Sequence, residues 1–384
     1  MTRPQSQAGS TGGSDLALIY GADPAPLVPA LLDHLGAAAE LPRRGVIGIK
    51  PNLILPRPAA SGATTDPQLV EALIGWLRGH TAAEPVILES AWVGARTGEA
   101  FAACGYRELA DRCGVELVDL KSDATRWVGV DGTSVEVCRR PLEVDYLIDV
   151  PVLKAHCQTG LTCALKNLKG CIPDREKRRC HRIGLHPAIA RLARALPVDL
   201  VLVDGLCGDL TFEEGGHPVR QDRLLAGRDP VLIDAYAATL LGLRPAAVGY
   251  IGRAAALGVG SADLAAARIT ALNKPTPAAR SARAGAQAAT PAYAERIAAD
   301  QACSPCLGGL VHALQRLADR DRIEALSARI AVGQGHQQRR GPGPGIGDCT
   351  RGLHPHCPGC PPSAQQMVAF LEDWIVRPQS APRG

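Results

Sequence analysis

Residues 145–151 read DYLIDVP and residues 199–204 read DLVLVD, two short apolar runs with a helically spaced stretch, 186–196, between them. Continuous apolar runs mark strands buried on both faces, as in a parallel sheet held between layers of helices. The alternation extends outward. Upstream lie apolar runs at 15–21 (DLALIYG), 45–49 (GVIGI), 85–89 (PVILE) and 115–119 (VELVD). Helical spacing separates them over 26–38, from Asp66-Pro67 to about 79, and over 97–113. Downstream, Asp229-Pro230 opens a helix to about residue 241. In both Asp-Pro openings an acidic N-cap precedes a proline at the first helical position, where its missing N–H costs nothing. The pattern predicts an α/β fold: a mostly parallel sheet with helices on both faces, followed by a small C-terminal α/β cysteine-rich module.

A chain of 384 residues suggests about two domains. The α/β domain is expected over 14–272, a linker rich in Ala, Arg, Pro and Thr over 273–300, and the cysteine-rich unit over 301–376. That unit reads as a CxxC leading a helix, a strand at 328–332, a Gly/Pro-rich loop at 341–347 and a helix at about 363–375. Residues 1–13 and 377–384 read as polar tails. Apolar residues make up 46% of the chain but aromatics only 3%, so the core must rest on Leu, Val, Ile and Ala. A net charge of +4 argues against general nucleic-acid binding. With no apolar leader and no uncharged run of about 18 apolar residues, no membrane partner is expected and the location expected is cytoplasmic. The charged run 175–182 (REKRRCHR) reads as an exposed loop.

Thirteen cysteines in a reducing compartment point to metal ligation and buried thiols rather than disulfides. Five fall in the last part of the chain: Cys303-Ser304-Pro305-Cys306, Cys349, and Cys357-Pro358-Gly359-Cys360. A two-residue gap lets two thiolates converge on one centre. Two CxxC pairs alone fit tetrahedral zinc. One CxxC, a lone cysteine and a Cys-Pro-Pro instead offer four thiolates to a four-iron cluster; those would be Cys303, Cys306, Cys349 and Cys360, with Cys357 the alternative.

A second constellation occupies 151–171 (PVLKAHCQTGLTCALKNLKGC). Lys154, Lys166 and Lys169, with Thr159, Thr162 and Asn167, form a dense set of donors suited to an anionic group. Lys50, Asn52 and Thr65 repeat that chemistry at an earlier strand end, and Asp204 ends another strand. His156 adds a group that titrates near neutrality. Asp229 reads as an N-cap and Asp234 as a cation ligand or base. There is no P-loop, no complete dinucleotide fingerprint beyond Gly333-Gln334-Gly335, and no G-x-S-x-G elbow.

Taken together, Lys50-Pro51-Asn52, Thr64-Thr65, Gly105-Tyr106, VPVLKAH at 150–156, TGLTCALKNLKG at 159–170, Asp204, and Arg228-Asp229-Pro230 with Asp234 resemble the domain of unknown function 362 family. The resemblance spans about residues 46–242, and the lysine-rich segment is its most specific part. The C-terminal cysteines resemble the module that follows this domain in many relatives. Gly359-Cys360-Pro361-Pro362 is similar to the cluster-binding motif in small subunits of nickel–iron hydrogenases, which implies that Cys360 ligates a four-iron cluster. Two departures stand out: no C-x₂-C-x₂-C-x₃-C run is present, and Cys357 stands where hydrogenase-type motifs carry an apolar residue. The resemblance implies an iron–sulfur protein. The expectation is an oxidoreductase or electron-transfer protein acting on an anionic small molecule, with an electron-transfer protein as partner. Lys154, His156 and Lys166 would be catalytic; Lys50, Asn52, Thr65, Thr159, Thr162, Asn167, Lys169 and Asp204 would bind substrate. The other reading is a non-redox ligand-binding or transfer protein with a structural zinc.

Overall fold

The computed structural model describes residues 15–210, 213–282 and 293–376. The tails expected at 1–13 and 377–384, and residues 283–292 of the expected linker, lie outside the described residues. The chain divides into two compact units: Met1–Lys177 with Leu185–Ala288, and Arg178–Gly184 with Ala289–Gly384.

The first unit is built on an eight-stranded sheet with the spatial order Arg268–Ala271, Asp15–Tyr20, Pro218–Gly227, Leu200–Asp209, Tyr146–Val150, Val46–Pro51, Glu84–Glu89, Glu116–Asp119. The five strands from Leu200–Asp209 to Glu116–Asp119 pair in parallel. Pro218–Gly227 runs antiparallel to both its neighbours, and Arg268–Ala271 lies parallel to Asp15–Tyr20. The sheet is therefore mostly parallel, as its apolar runs predict. Successive residues of a strand face opposite sides, and both sets are buried. Ile47, Ile49, Ile87, Ile148 and Leu202 join one core with Leu31 of helix Pro24–His34 and with Leu69, Leu73 and Leu77 of helix Pro67–His80. The alternate residues Leu88, Leu147, Val201 and Leu225 are equally buried, as are Ile189 of Leu185–Ala195 and Ile233 of Pro230–Leu240. Asp66 and Asp229 cap their helices as expected, each carboxylate accepting a backbone N–H two residues on.

Several expectations are corrected. The helix at 97–113 is two helices, Thr97–Ala103 and Tyr106–Cys113, broken at Gly105, whose φ of +77° an L side chain disfavours. The charged run 175–182 is part of a helix, Asp174–Ile183, and not a loop. Lys177 on it is buried, its Nζ donating to the carbonyls of Ser90 (3.0 Å) and Ala91 (2.6 Å), which offsets the cost of burying the charge. A hairpin, Thr125–Val130 with Thr133–Cys138, turns at Asp131-Gly132, both at positive φ. A shorter one, Lys154–His156 with Gly160–Thr162, carries the lysine-rich motif.

The second unit has its own parallel sheet, in the order Ile297–Ala299, Ile330–Val332, Gly341–Ile346, Leu353–Cys357. The Gly/Pro-rich stretch expected as a loop is thus a strand. Its register shifts between Pro342 and Gly345, which accommodates prolines that lack a ladder N–H. Helices Ser304–Ala318 and Ala364–Val376 bury Leu310, Leu314, Leu317, Met367 and Leu371 in a separate core with Val332 and Ile346. Among the described residues no helix is long and apolar enough to cross a membrane.

Candidate functional site

Strand ends of the first unit gather a buried polar network. Lys50, at the end of Val46–Pro51, forms an ion pair with Glu89 (2.8 Å), and both side chains are almost fully buried. Gly170 makes room for this pair: a Cβ there would fall 2.5 Å from Lys50 Nζ and 2.2 Å from Glu89 Oε1. Asn52 Nδ2 donates to Asn167 Oδ1 (2.7 Å), and Asn167 Nδ2 donates to Asp149 Oδ1 (2.8 Å). Thr65 Oγ1 donates to the Val150 carbonyl and accepts from the Asn52 N–H, each at 2.8 Å. Thr159 Oγ1 donates to the Leu161 carbonyl (3.0 Å). Asp204 accepts from the N–H groups of Asp66 (2.8 Å) and Leu206 (3.0 Å), and burial lifts its pKa to about 7. Lys50, Asn52, Thr65, Asn167 and Asp204 are thus joined in one network, and Thr159 bonds within its own hairpin. The correction is to their role: their polar atoms bond one another and the backbone, forming a frame rather than a set of open donors.

Asp234 also belongs to the frame. Its carboxylate accepts from the N–H groups of Ala164 (2.7 Å) and Leu165 (3.2 Å), fixing the short helix Ala164–Asn167 that carries Lys166.

Lys154 is fully buried and donates to Asn52 Oδ1 (3.1 Å), the Glu213 carbonyl (2.9 Å) and the Ala63 carbonyl. All three of its donors are engaged, and burial lowers its pKa to about 7. Lys166 differs. Its side chain makes a long hydrogen bond, 3.4 Å to Thr162 Oγ1, and its pKa is lowered by burial and then by the like charge of Lys169. Lys166 and Lys169 thus set two like charges close together.

Sequence reasoning missed Glu213. Its carboxylate accepts from the Cys157 N–H (3.0 Å) and lies 2.9 Å from the Cys157 sulfur and 3.6 Å from His156 Nε2. The pair Glu213-Glu214 in a Gly-rich turn was the available signal, but such pairs usually sit in solvent. His156, Cys157 and Glu213 place three ligand-type atoms within 4.8 Å of one another. The hydrogen bonding favours a proton over a metal there. Gln158 N–H donates to His156 Nδ1 (3.0 Å), so the neutral ring carries its hydrogen on Nε2, facing Glu213. Burial, and then Glu213, hold the Cys157 thiol well above its usual range. Burial lifts the neighbouring Glu214 to about 8, Glu213 adding to it.

In the second unit, Cys303 is the N-cap of helix Ser304–Ala318, and Cys306 lies in its first turn, where the helix dipole favours negative charge. Cys349 sits in the turn Asp348–Thr350 and Cys360 in the turn after Leu353–Cys357. These turns are clamped together: Asp348 N–H donates to the Gly359 carbonyl (2.9 Å), and Gly359 N–H donates to Asp348 Oδ1 (2.7 Å). The Cys306 thiol is raised by burial, then by Cys303, Cys360 and Cys349, so the four sulfurs share one neighbourhood. Cys357 is buried in the apolar core with Ile346 and Met367, and burial alone raises its thiol.

A mostly parallel α/β unit with a lysine-bearing strand-end network, and a second unit rich in cysteine, define a protein with donor sets of the metal- or cofactor-binding kind. Residues 47–239, half of the chain, match the family described as "Domain of unknown function (DUF362)", and the chain belongs to that family. It is similar to the thylakoid-associated protein sll1697 of Synechocystis sp., 25% identical over 241 residues, which cover 60% of this chain and 73% of that protein. It is also similar, at 16% identity and a TM-score of 0.34, to the lactate racemase apoprotein from Thermoanaerobacterium thermosaccharolyticum. That likeness covers 50% of this chain and spans half the length of the other.

Proposed function

We propose that this chain is an iron–sulfur protein, an oxidoreductase or electron-transfer protein acting on a small anionic molecule. Cys303, Cys306, Cys349 and Cys360 would hold a four-iron cluster. The observation that supports the reading is the clamping of the Cys349 and Cys360 turns through Asp348 and Gly359, with both cysteines and Cys303 near enough to raise the Cys306 thiol, while Cys357 is buried in the core. When bound, such a cluster supplies one-electron transfer.

In the first unit, Lys166 and Lys169, with Thr162, are the residues that would receive the anion, while Lys154 holds the walls of the site together. Glu213 and His156 form the group that would accept or return a proton beside it. Thirteen thiols suit a reducing compartment such as the cytoplasm. An electron-transfer protein is the partner this chemistry requires.

Oxygen-free purification tests the reading. The expected protein is brown, with about four iron and four acid-labile sulfide per chain, and it gives an EPR signal with dithionite. A colourless protein with stoichiometric zinc would overturn the redox function and leave a metal-stapled binding protein.

A further inference from the structure

Directly after strand Ile330–Val332, Gly333 turns the chain at a φ of +118°, and residues Gln334–His336 form a 3-10 turn. A Cβ at position 333 would fall 2.1 Å from the Asp300 carbonyl, so the turn is held tightly against the neighbouring chain. Gln337 closes it, its N–H donating to the Gln334 carbonyl (3.2 Å). In a 3-10 turn, side chains three residues apart eclipse one another. The two glutamine amides therefore project side by side and reach two different sulfurs. Gln334 Nε2 lies 3.7 Å from Cys303 Sγ, and Gln337 Nε2 lies 3.7 Å from Cys349 Sγ. Gln334 Nε2 also donates to the Arg178 carbonyl (3.1 Å), so the nitrogen, not the oxygen, faces this side.

An N–H directed at a ligand sulfur steadies negative charge on it. Reduction adds one negative charge to a thiolate-bound centre without breaking a bond, so each N–H···S contact is stronger in the reduced form. We infer that Gln334 and Gln337 are positioning residues that raise the reduction potential of the centre held by Cys303, Cys306, Cys349 and Cys360. Neither residue belongs to the cysteine motifs, and the sequence offers no sign of their role. The inference rests on the iron–sulfur reading above.

The experiment is a reductive titration of the full chain, with dithionite as electron donor and the EPR and visible spectra as readout. Gln334→Leu and Gln337→Leu should each keep the wild-type iron content. Each should weaken reduction by roughly tenfold, which is about 59 mV for one electron. Gln337 is exposed, so Gln337→Glu serves as an isosteric second variant that folds whatever Gln334→Leu does. It exchanges the N–H donor for a carboxylate and should lower the midpoint further than Gln337→Leu. Iron-loaded variants with unshifted midpoints would overturn this inference alone. A wild-type protein that holds zinc and no iron would overturn it together with the function on which it rests.

Discussion

Lys154 and Lys166 belong to one motif, yet they do different work. Lys154 has its three donors on fixed acceptors inside the fold, whereas Lys166 has one long contact and a like-charged neighbour. Lys166→Ala should therefore weaken binding of a small carboxylate or phosphate probe about tenfold and leave folding and metal content unchanged, as calorimetry would show. Lys154→Ala should instead lower stability by on the order of 3 kcal/mol, because it strands three buried acceptors. Equal binding losses with equal stability would refute this division. The cysteines divide in the same way. Cys360→Ala should lose the metal, while Cys357→Ala should keep it and cost about 1–2 kcal/mol of core packing. Spacing alone could not separate the two, since they are the two ends of one CxxC; the burial of Cys357 with Ile346 and Met367 does.

At the scale of elements, the site depends on short segments wedged between strand ends. The turn Leu168–Cys171 brings Gly170 against the Lys50–Glu89 ion pair, leaving no room for a methyl group. Gly170→Ala should push the pair apart and lower the urea midpoint by the equivalent of about 2–4 kcal/mol. Gly252, in helix Gly249–Ala256, has open space where a Cβ would stand, so Gly252→Ala should stabilise by up to about 1 kcal/mol. A Gly170→Ala variant as stable as Gly252→Ala would mean the ion pair shifts freely. The elements missed in the sequence share a cause. Pro218–Gly227 buries Gln221, Asp222 and Arg223, helix Asp174–Ile183 buries Glu176 and Lys177, and Gly341–Ile346 is made of breaker residues. In each, partners elsewhere in the chain satisfy groups that local hydropathy assigns to solvent.

For the whole molecule, buried ionisable groups set the response to pH. Asp204 and Asp234 have folded pKa values of about 7, against about 3.9 for a free aspartate. Between those values the folded chain holds protons that the unfolded chain has lost. Their contribution is complete below about pH 4 and is lost as pH rises through about 7, by up to about 1.4 kcal/mol per pH unit for each. Lys154, with its pKa lowered to about 7, works in the opposite sense: its contribution is present above about pH 10.4 and is lost as pH falls through about 7. Asp204→Asn should thus show a smaller drop in Tm between about pH 5 and about pH 8 than wild type. Parallel curves would show that Asp204 titrates as an ordinary carboxylate. Removing the proposed metal should act on the second unit. Amide exchange should speed up across 293–376 and stay unchanged in strand Tyr146–Val150, because metal binding supplies folding energy to a small core. Faster exchange in both units would contradict that independence.

Sequence alone determined the fold class and the inventory of chemistry. Strands buried on two faces must be apolar throughout, Asp-Pro pairs announce helix starts, and thiols and lysines are named by their own letters. Tertiary structure alone decided which of those groups is held inside the fold. Lys154 and Lys166, or Cys357 and Cys360, are equivalent as letters, and only the groups that long-range packing brings against them settle whether each binds inward or outward. Glu213, Gln334 and Gln337 belong with that second kind of knowledge: their positions follow from turns folded against distant chain, which no local pattern records.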